Sequence, residues 1–167
     1  MTGLSLIYGV LSAVETLAPQ ALGAGRPGDV GLLCQRGVVF ATALLPVAMA
    51  LWFNARHLLV AVGQPPEVAE LSQSFLRIYA TAMPPLIIFE ALRRFLYVQN
   101  IIMAIVYITG VVGCLVHPIM AYILVKHLGF IGAPLAVVSS QWLMMVLGLC
   151  YVRWAQVNIN NPRQEKR

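Results

Sequence analysis

The chain has 167 residues, 60% of them hydrophobic and 10% charged, with a formal net charge of +5. Soluble domains carry about 25% charged residues, so a water-facing surface is excluded; with a mean hydropathy of +0.82, most side chains must meet lipid or other helices. The basic residues fall between hydrophobic runs without interleaved aromatics, which excludes a nucleic-acid interface and marks them as topology signals at a membrane surface.

Five runs of mainly apolar residues have the length of about 20 that a bilayer core demands: 3–24, 38–60, 75–97, 101–125 and 129–152. Continuous apolar runs of this length close their backbone in lipid only as helices. The fold class predicted is therefore all-α, a polytopic transmembrane bundle of about five spanning helices. The first run has no Lys or Arg before Arg26, unlike a secretory leader, and contains Glu15 and, beyond it, Gln20. A Gly- and Arg-bearing loop, 25–35, leads to the second run. The connection 54–73 holds Gly63-Gln64-Pro65-Pro66, a turn, with Glu67 and Glu70 in the helical turn that follows.

In the third run, Glu90 precedes Arg93 and Arg94 by three and four residues, a spacing that puts all three on one helical face; an internal ion pair is the favoured reading, a transported-ion site the alternative. Gln99 and Asn100 end this run. His117-Pro118 and Tyr122 lie in the fourth, and Lys126 to Gly129 forms a tight turn. Ser139, Ser140 and Gln141 lie in the fifth. Residues 1–157 form one transmembrane unit and 158–167 a charged tail.

If loop 25–35 faces the cytoplasm, that side collects Arg26, Arg36, Arg93, Arg94, Arg153, Arg163, Lys166 and Arg167. The other side collects Arg56, Arg77 and Lys126. This bias follows the positive-inside rule and puts the start of the first run outside. Every run contains proline (Pro19, Pro46, Pro84 with Pro85, Pro118, Pro134), which predicts bent helices of the transporter kind. Small residues four apart, Gly9 with Ala13, Ala21 with Gly25, Gly132 with Ala136, predict close helix approaches.

Glu15 is the most informative residue, because a carboxylate in hydrocarbon costs about 2.5–3.5 kcal/mol on insertion scales unless protonated, paired or hydrated. Two readings follow: a cation-linked site in a polar cavity, or a structural carboxyl bonded to a neighbouring helix. Gln20, His117, Tyr122 and Ser140 are further candidates for lining such a cavity or for bonding between helices. Cys34, Cys114 and Cys150 form neither a disulfide framework nor a zinc spacing. No hydrolase, metalloprotease, phosphate-loop or dinucleotide motif is present, so the chain is read as no enzyme, without metal or organic cofactor.

The order of motifs resembles a known family. Ser12-Ala13-Val14-Glu15-Thr16-Leu17-Ala18-Pro19-Gln20-Ala21-Leu22-Gly23-Ala24 is similar to the second helix of eukaryotic multidrug and toxic compound extrusion (MATE) transporters, A-L-E-T-L-C-G-Q-A-x-G-A. Gln35-Arg36, Val62-Gly63-Gln64-Pro65, Arg94 to Asn100, and Val116-His117-Pro118 through Ala136 resemble four further stretches in the family's order. Ala18-Pro19 stands where the family has Cys-Gly, Tyr97 for a usual Gln and Pro134 for a usual Ala.

The resemblance implies helices two to six of a first lobe, with the family's first helix and second lobe outside this chain. It implies efflux of small organic compounds, xenobiotics or metabolites, by antiport against protons or sodium, in a plasma or vacuolar-type membrane. Glu15, Gln20, His117, Tyr122 and Ser140 are then the candidate cavity, and the partners are the lipid bilayer, a small organic substrate and the missing helices. The alternative is a truncated, non-transporting membrane remnant or interaction subunit.

Overall fold

A computed structural model describes residues 2–159, and these fold into helices joined by short turns. The helices are α1 (Thr2–Gly23), α2 (Pro27–Phe53), α3 (Ala55–Ala61), α4 (Pro66–Tyr79), α5 (Met83–Val98), α6 (Ile102–Val111), α7 (His117–Leu128) and α8 (Gly132–Ile159). A 3-10 turn joins α4 to α5, and a five-residue π turn, Val112–Val116, joins α6 to α7. Five rods result: α1, α2, α4 with α5, α6 with α7, and α8.

Among the described residues, three helical stretches are both long and apolar enough to cross a membrane: Pro27–Phe53, Pro66–Val98 and Ile102–Ala155. The third is 54 residues long, about 80 Å as one helix, far beyond a hydrocarbon core of about 30 Å. It is folded at Gly129, whose φ of 61° and ψ of −136° reverse the chain so that α8 packs back on α7. A left-handed φ suits glycine, which has no Cβ to clash. The stretch therefore makes two crossings. α1 is 22 residues long, also a crossing length, but Glu15 and Gln20 make it less apolar.

Several boundaries differ from the sequence reading. The expected loop 25–35 is mostly helix, because Pro27 starts α2 with a preset φ and Asp29 suits its first turn. The second span ends at Phe53, not residue 60, and the short α3 follows Asn54. The third rod starts at Pro66, within the connection expected over 54–73; its first half, α4, is amphipathic and carries Glu67 and Arg77. Most of the expected charged tail, 160–167, lies outside the described residues.

The prolines also divide. Pro19 and Pro46 are inside helices. Pro84, Pro85 and Pro118 occupy first-turn positions, and Pro134 is the third residue of α8, places where a missing N–H goes unneeded. Pro118 stands just after the π turn Val112–Val116, a local widening of the helix.

α5 sits at the centre, against α1, α2 and α8, while α6 and α7 pack on the outer side of α8. One core joins Ile7 and Leu11 of α1, Leu45 and Trp52 of α2, and Met83 and Ile87 of α5. A second, nearer the α1–α2 turn, joins Val14, Ala18 and Cys34 with Phe95 against it. The outer face of α6–α7 exposes Met103, Tyr107, Leu115 and Ile119, and no described residue of α7 is buried. Such a face is stable against acyl chains, not water. The chain is an integral membrane protein with an all-α bundle fold.

Candidate functional site

α1 and α5 meet at a four-member charge network. Glu90, Arg93 and Arg94 share one face of α5 at the i, i+3, i+4 spacing that brings helical side chains together. Arg93 Nη2 donates to Glu90 Oε2 at 2.6 Å, and Arg94 Nη1 donates to the same oxygen at 2.5 Å and to the Glu90 carbonyl at 3.0 Å. The pairing that helical spacing predicts within α5 is thus present in the fold.

Arg94 also reaches across to α1: its Nε lies 3.1 Å from Glu15 Oε1. That N–H is not aimed at the carboxylate and stays without a hydrogen bond, so the cross-helix contact is one of charge while the aligned bonds hold Arg94 to Glu90. The burial is lopsided. Arg94 is 4% exposed and Glu15 54%. Glu15 opens into a cleft of about 260 Å³ shared with Pro19, Arg94, Tyr97 and Val98. The arginine is therefore the fixed member, and the Glu15 carboxylate is the member a solute can reach. Arg93 lies over the Tyr97 ring at 5.9 Å from its centroid, which closes one end of the network.

The other candidates lie elsewhere. Gln20, one turn from the end of α1, lines a separate cleft of about 610 Å³ with Arg26, Asp29 and Arg36. His117 Nδ1 is 3.0 Å from Ser140 Oγ and ties α7 to α8. Ser140, buried, is also 2.8 Å from the Ala136 carbonyl, to which its single hydrogen is donated. Its oxygen then accepts from Nδ1–H, which assigns the imidazole tautomer and leaves Nε2 without a proton in the neutral ring. Tyr122 is 70% exposed on the outer face, with Lys126 Nζ 6.0 Å from its ring centroid. The structure thus brings His117 and Ser140 together and places Glu15, Gln20 and Tyr122 in three other settings. Sequence reasoning missed the Glu15–Arg94 contact; paired arginines within an apolar run were the available signal.

Beyond Glu15, α1 also exposes Ser12 and Thr16, and Gln20 is exposed at the cleft it shares with α2. The Ser12 and Thr16 hydroxyls bond back to the Gly9 and Ala13 carbonyls, a local bond that lets a hydroxyl sit in a membrane helix. Glu15 has the charge of Arg94 on one side, and its open side needs water, a cation or a protein partner. Among the described residues no group of three or more His, Cys, Asp or Glu is placed to hold a metal.

Comparison with known proteins places nearly the whole chain beside transporter sequences. The family model described as MatE matches residues 1–123. An uncharacterized transporter of Schizosaccharomyces pombe is 34% identical over 97% of this chain and 31% of its own length. Protein DETOXIFICATION 16 of Arabidopsis thaliana is 36% identical over 93% of the chain and 32% of its own length. Multidrug and toxin extrusion protein 1 of Danio rerio is 32% identical over 95% of the chain and 27% of its own length. The chain thus spans about a third or less of each of these relatives.

Proposed function

The chain belongs to the MatE family, and on that premise we propose that it is part of a membrane transporter that exports small organic compounds in exchange for protons or sodium. The observation that carries this reading is the polar face of α1. Ser12 and Thr16 are exposed on a crossing helix, and the half-exposed Glu15 beside them reaches back to the buried Arg94 while its other side opens into a cleft. Lipid does not accept a carboxylate there, so the face lines an aqueous cavity or the contact with a further part of the transporter.

Glu15 is the group suited to bind the coupling ion. Its carboxylate is accessible from the cleft and is held from behind by the buried Arg94. A proton or cation arriving at Glu15 competes with Arg94 for the same charge. Occupancy therefore weakens the link between α1 and α5, and a ligand that favours one packing of two helices shifts their equilibrium. Tyr97 supplies an aromatic surface in the same cleft, and His117 a second polar group in another part of the bundle.

The test is Glu15→Gln in a transport-competent protein containing this sequence, followed by dye efflux under imposed proton and sodium gradients. Efflux should fall at least about tenfold and lose its dependence on the driving gradient. Efflux of unchanged rate and unchanged gradient dependence would reject the coupling role. Because the chain spans so little of its relatives, a second reading is a membrane subunit that does not transport by itself. Efflux from proteoliposomes holding this chain alone would argue against it.

A further inference from the structure

A second cleft is larger than the one at Glu15. It lies between the last turns of α1 and the first turns of α2, encloses about 610 Å³, and places Gln20, Arg26, Asp29 and Arg36 around walls that include Leu17 and Leu32. Arg26 stands in the turn at its mouth and is paired with Asp29 at 3.5 Å. Arg36 is nine positions after the first residue of α2, about 14 Å along the axis, and forms no ion pair among the described residues.

That arrangement needs explaining. A guanidinium in the first turns of a crossing helix, just ahead of its apolar run, lies at the membrane interface, where it meets water or an anion. Arg36 turns into the cleft, where Arg26 is the other cation and Asp29 the sole acid. One formal positive charge is left over, and the carboxamide of Gln20 adds neutral donors. The leucine walls mean that the occupant is amphiphilic: a bare anion would leave them wet.

We infer that this cleft binds the phosphate of an anionic phospholipid, with the arginines on the phosphate oxygens and an acyl chain along Leu17 and Leu32. Guanidinium forks match phosphate geometry. Basic clefts between membrane helices on the predicted cytoplasmic side meet the leaflet where anionic lipids reside. Asp29 opposes the anion and is neutralised by Arg26, so Arg36 carries the greater share of recognition. The site is separate from Glu15 and does not depend on the transport reading.

The chain is reconstituted in phosphatidylcholine nanodiscs containing a minor fraction of phosphatidic acid, and the lipids that stay bound on release are identified by native mass spectrometry. Phosphatidic acid should be enriched over its bulk proportion. Arg36→Gln should lower the enrichment about fivefold, Arg26→Gln by no more than that, and Arg56→Gln on α3 should leave it unchanged. Arg36→Lys, which keeps the charge and loses the fork, should fall between. Added inorganic phosphate should not displace the lipid.

Bound lipid at the bulk proportion in the unaltered chain overturns the inference, with no variant required. Equal loss in Arg56→Gln would show a diffuse charge effect instead of a site. Displacement by inorganic phosphate would assign the cleft to free phosphate and contradict the lipid.

Discussion

At the scale of single residues, Arg94 is the hub of the charge network. It is buried, it bonds Glu90 by two aligned contacts, and it is the only cation beside Glu15 in the described network. A buried ion pair broken from one side leaves the other charge unpaired, at a cost of about 3–5 kcal/mol. Arg94→Met strands Glu15 and leaves Glu90 to Arg93 alone. Partial relief from Arg93 puts the expected loss near the lower end, about 3 kcal/mol, read as a clear drop in the thermal midpoint of the detergent-solubilised protein. Arg94→Lys should lose less, since an ammonium keeps the charge without the fork. Equal stability of Arg94→Met and the unaltered chain would show that the network holds nothing together.

The sequence makes half of this network legible. The spacing of Glu90, Arg93 and Arg94 is local, so helical geometry alone pairs them. The link from Arg94 to Glu15 joins residues 79 positions apart in the chain, and nothing local encodes it. Tyr122 is read from the sequence as a cavity group or a bond between helices; the fold leaves it exposed beside Lys126, a setting that an aromatic ring also takes at the membrane interface.

At the scale of elements, close approaches depend on a few glycines, and of those in the small-residue pairs seen in the sequence Gly132 makes one while Gly9 and Gly25 do not. Gly9 and Gly25 belong to small-residue pairs, yet a Cβ at either meets open space. Gly132 is different: a Cβ there would collide with the Leu124 carbonyl oxygen, a backbone atom that cannot turn aside. Gly132→Ala should therefore push α8 from α7 and cost about 1–3 kcal/mol. Gly9→Ala should be neutral or stabilising, because alanine is the better helix former by about 1 kcal/mol. Thermal unfolding of the two variants side by side checks this; a Gly132→Ala protein as stable as Gly9→Ala would mean that the α7–α8 turn is loosely packed.

Helix ends are the least legible part. Apolar runs mark where lipid lies, not where hydrogen bonding stops. α2 continues through Asp29, Gln35 and Arg36 because Pro27 and Asp29 favour a helix start there, and α4 extends its rod through a polar amphipathic turn. Both extensions lie beyond the hydrophobic windows and are set by capping and packing.

At the scale of the whole molecule, five rods that cross in alternation fix the side of every turn. The turns at residues 24–26 and 99–101 share one face of the membrane; those at 62–65 and 129 share the other. Arg26, Arg93, Arg94 and Arg153 gather toward the first face, which agrees with the positive-inside reading. Folded in water, the same chain would expose Met103, Tyr107, Leu115 and Ile119 on the outer face of α6–α7, and Trp154 besides, apolar surface that monomeric soluble proteins rarely carry.

Sidedness is the most direct test. Cys34, Cys114 and Cys150 are replaced by alanine, and single cysteines are placed by Arg26→Cys, Gln64→Cys, Gln99→Cys and His127→Cys. Each is treated in intact cells with a membrane-impermeant maleimide, then again after permeabilisation. Cysteines at 64 and 127 should label in intact cells, and those at 26 and 99 only once the membrane is opened. Labelling of all four from the same side would mean that these rods do not cross the bilayer, and the cavity, the ion at Glu15 and the lipid cleft would go with them.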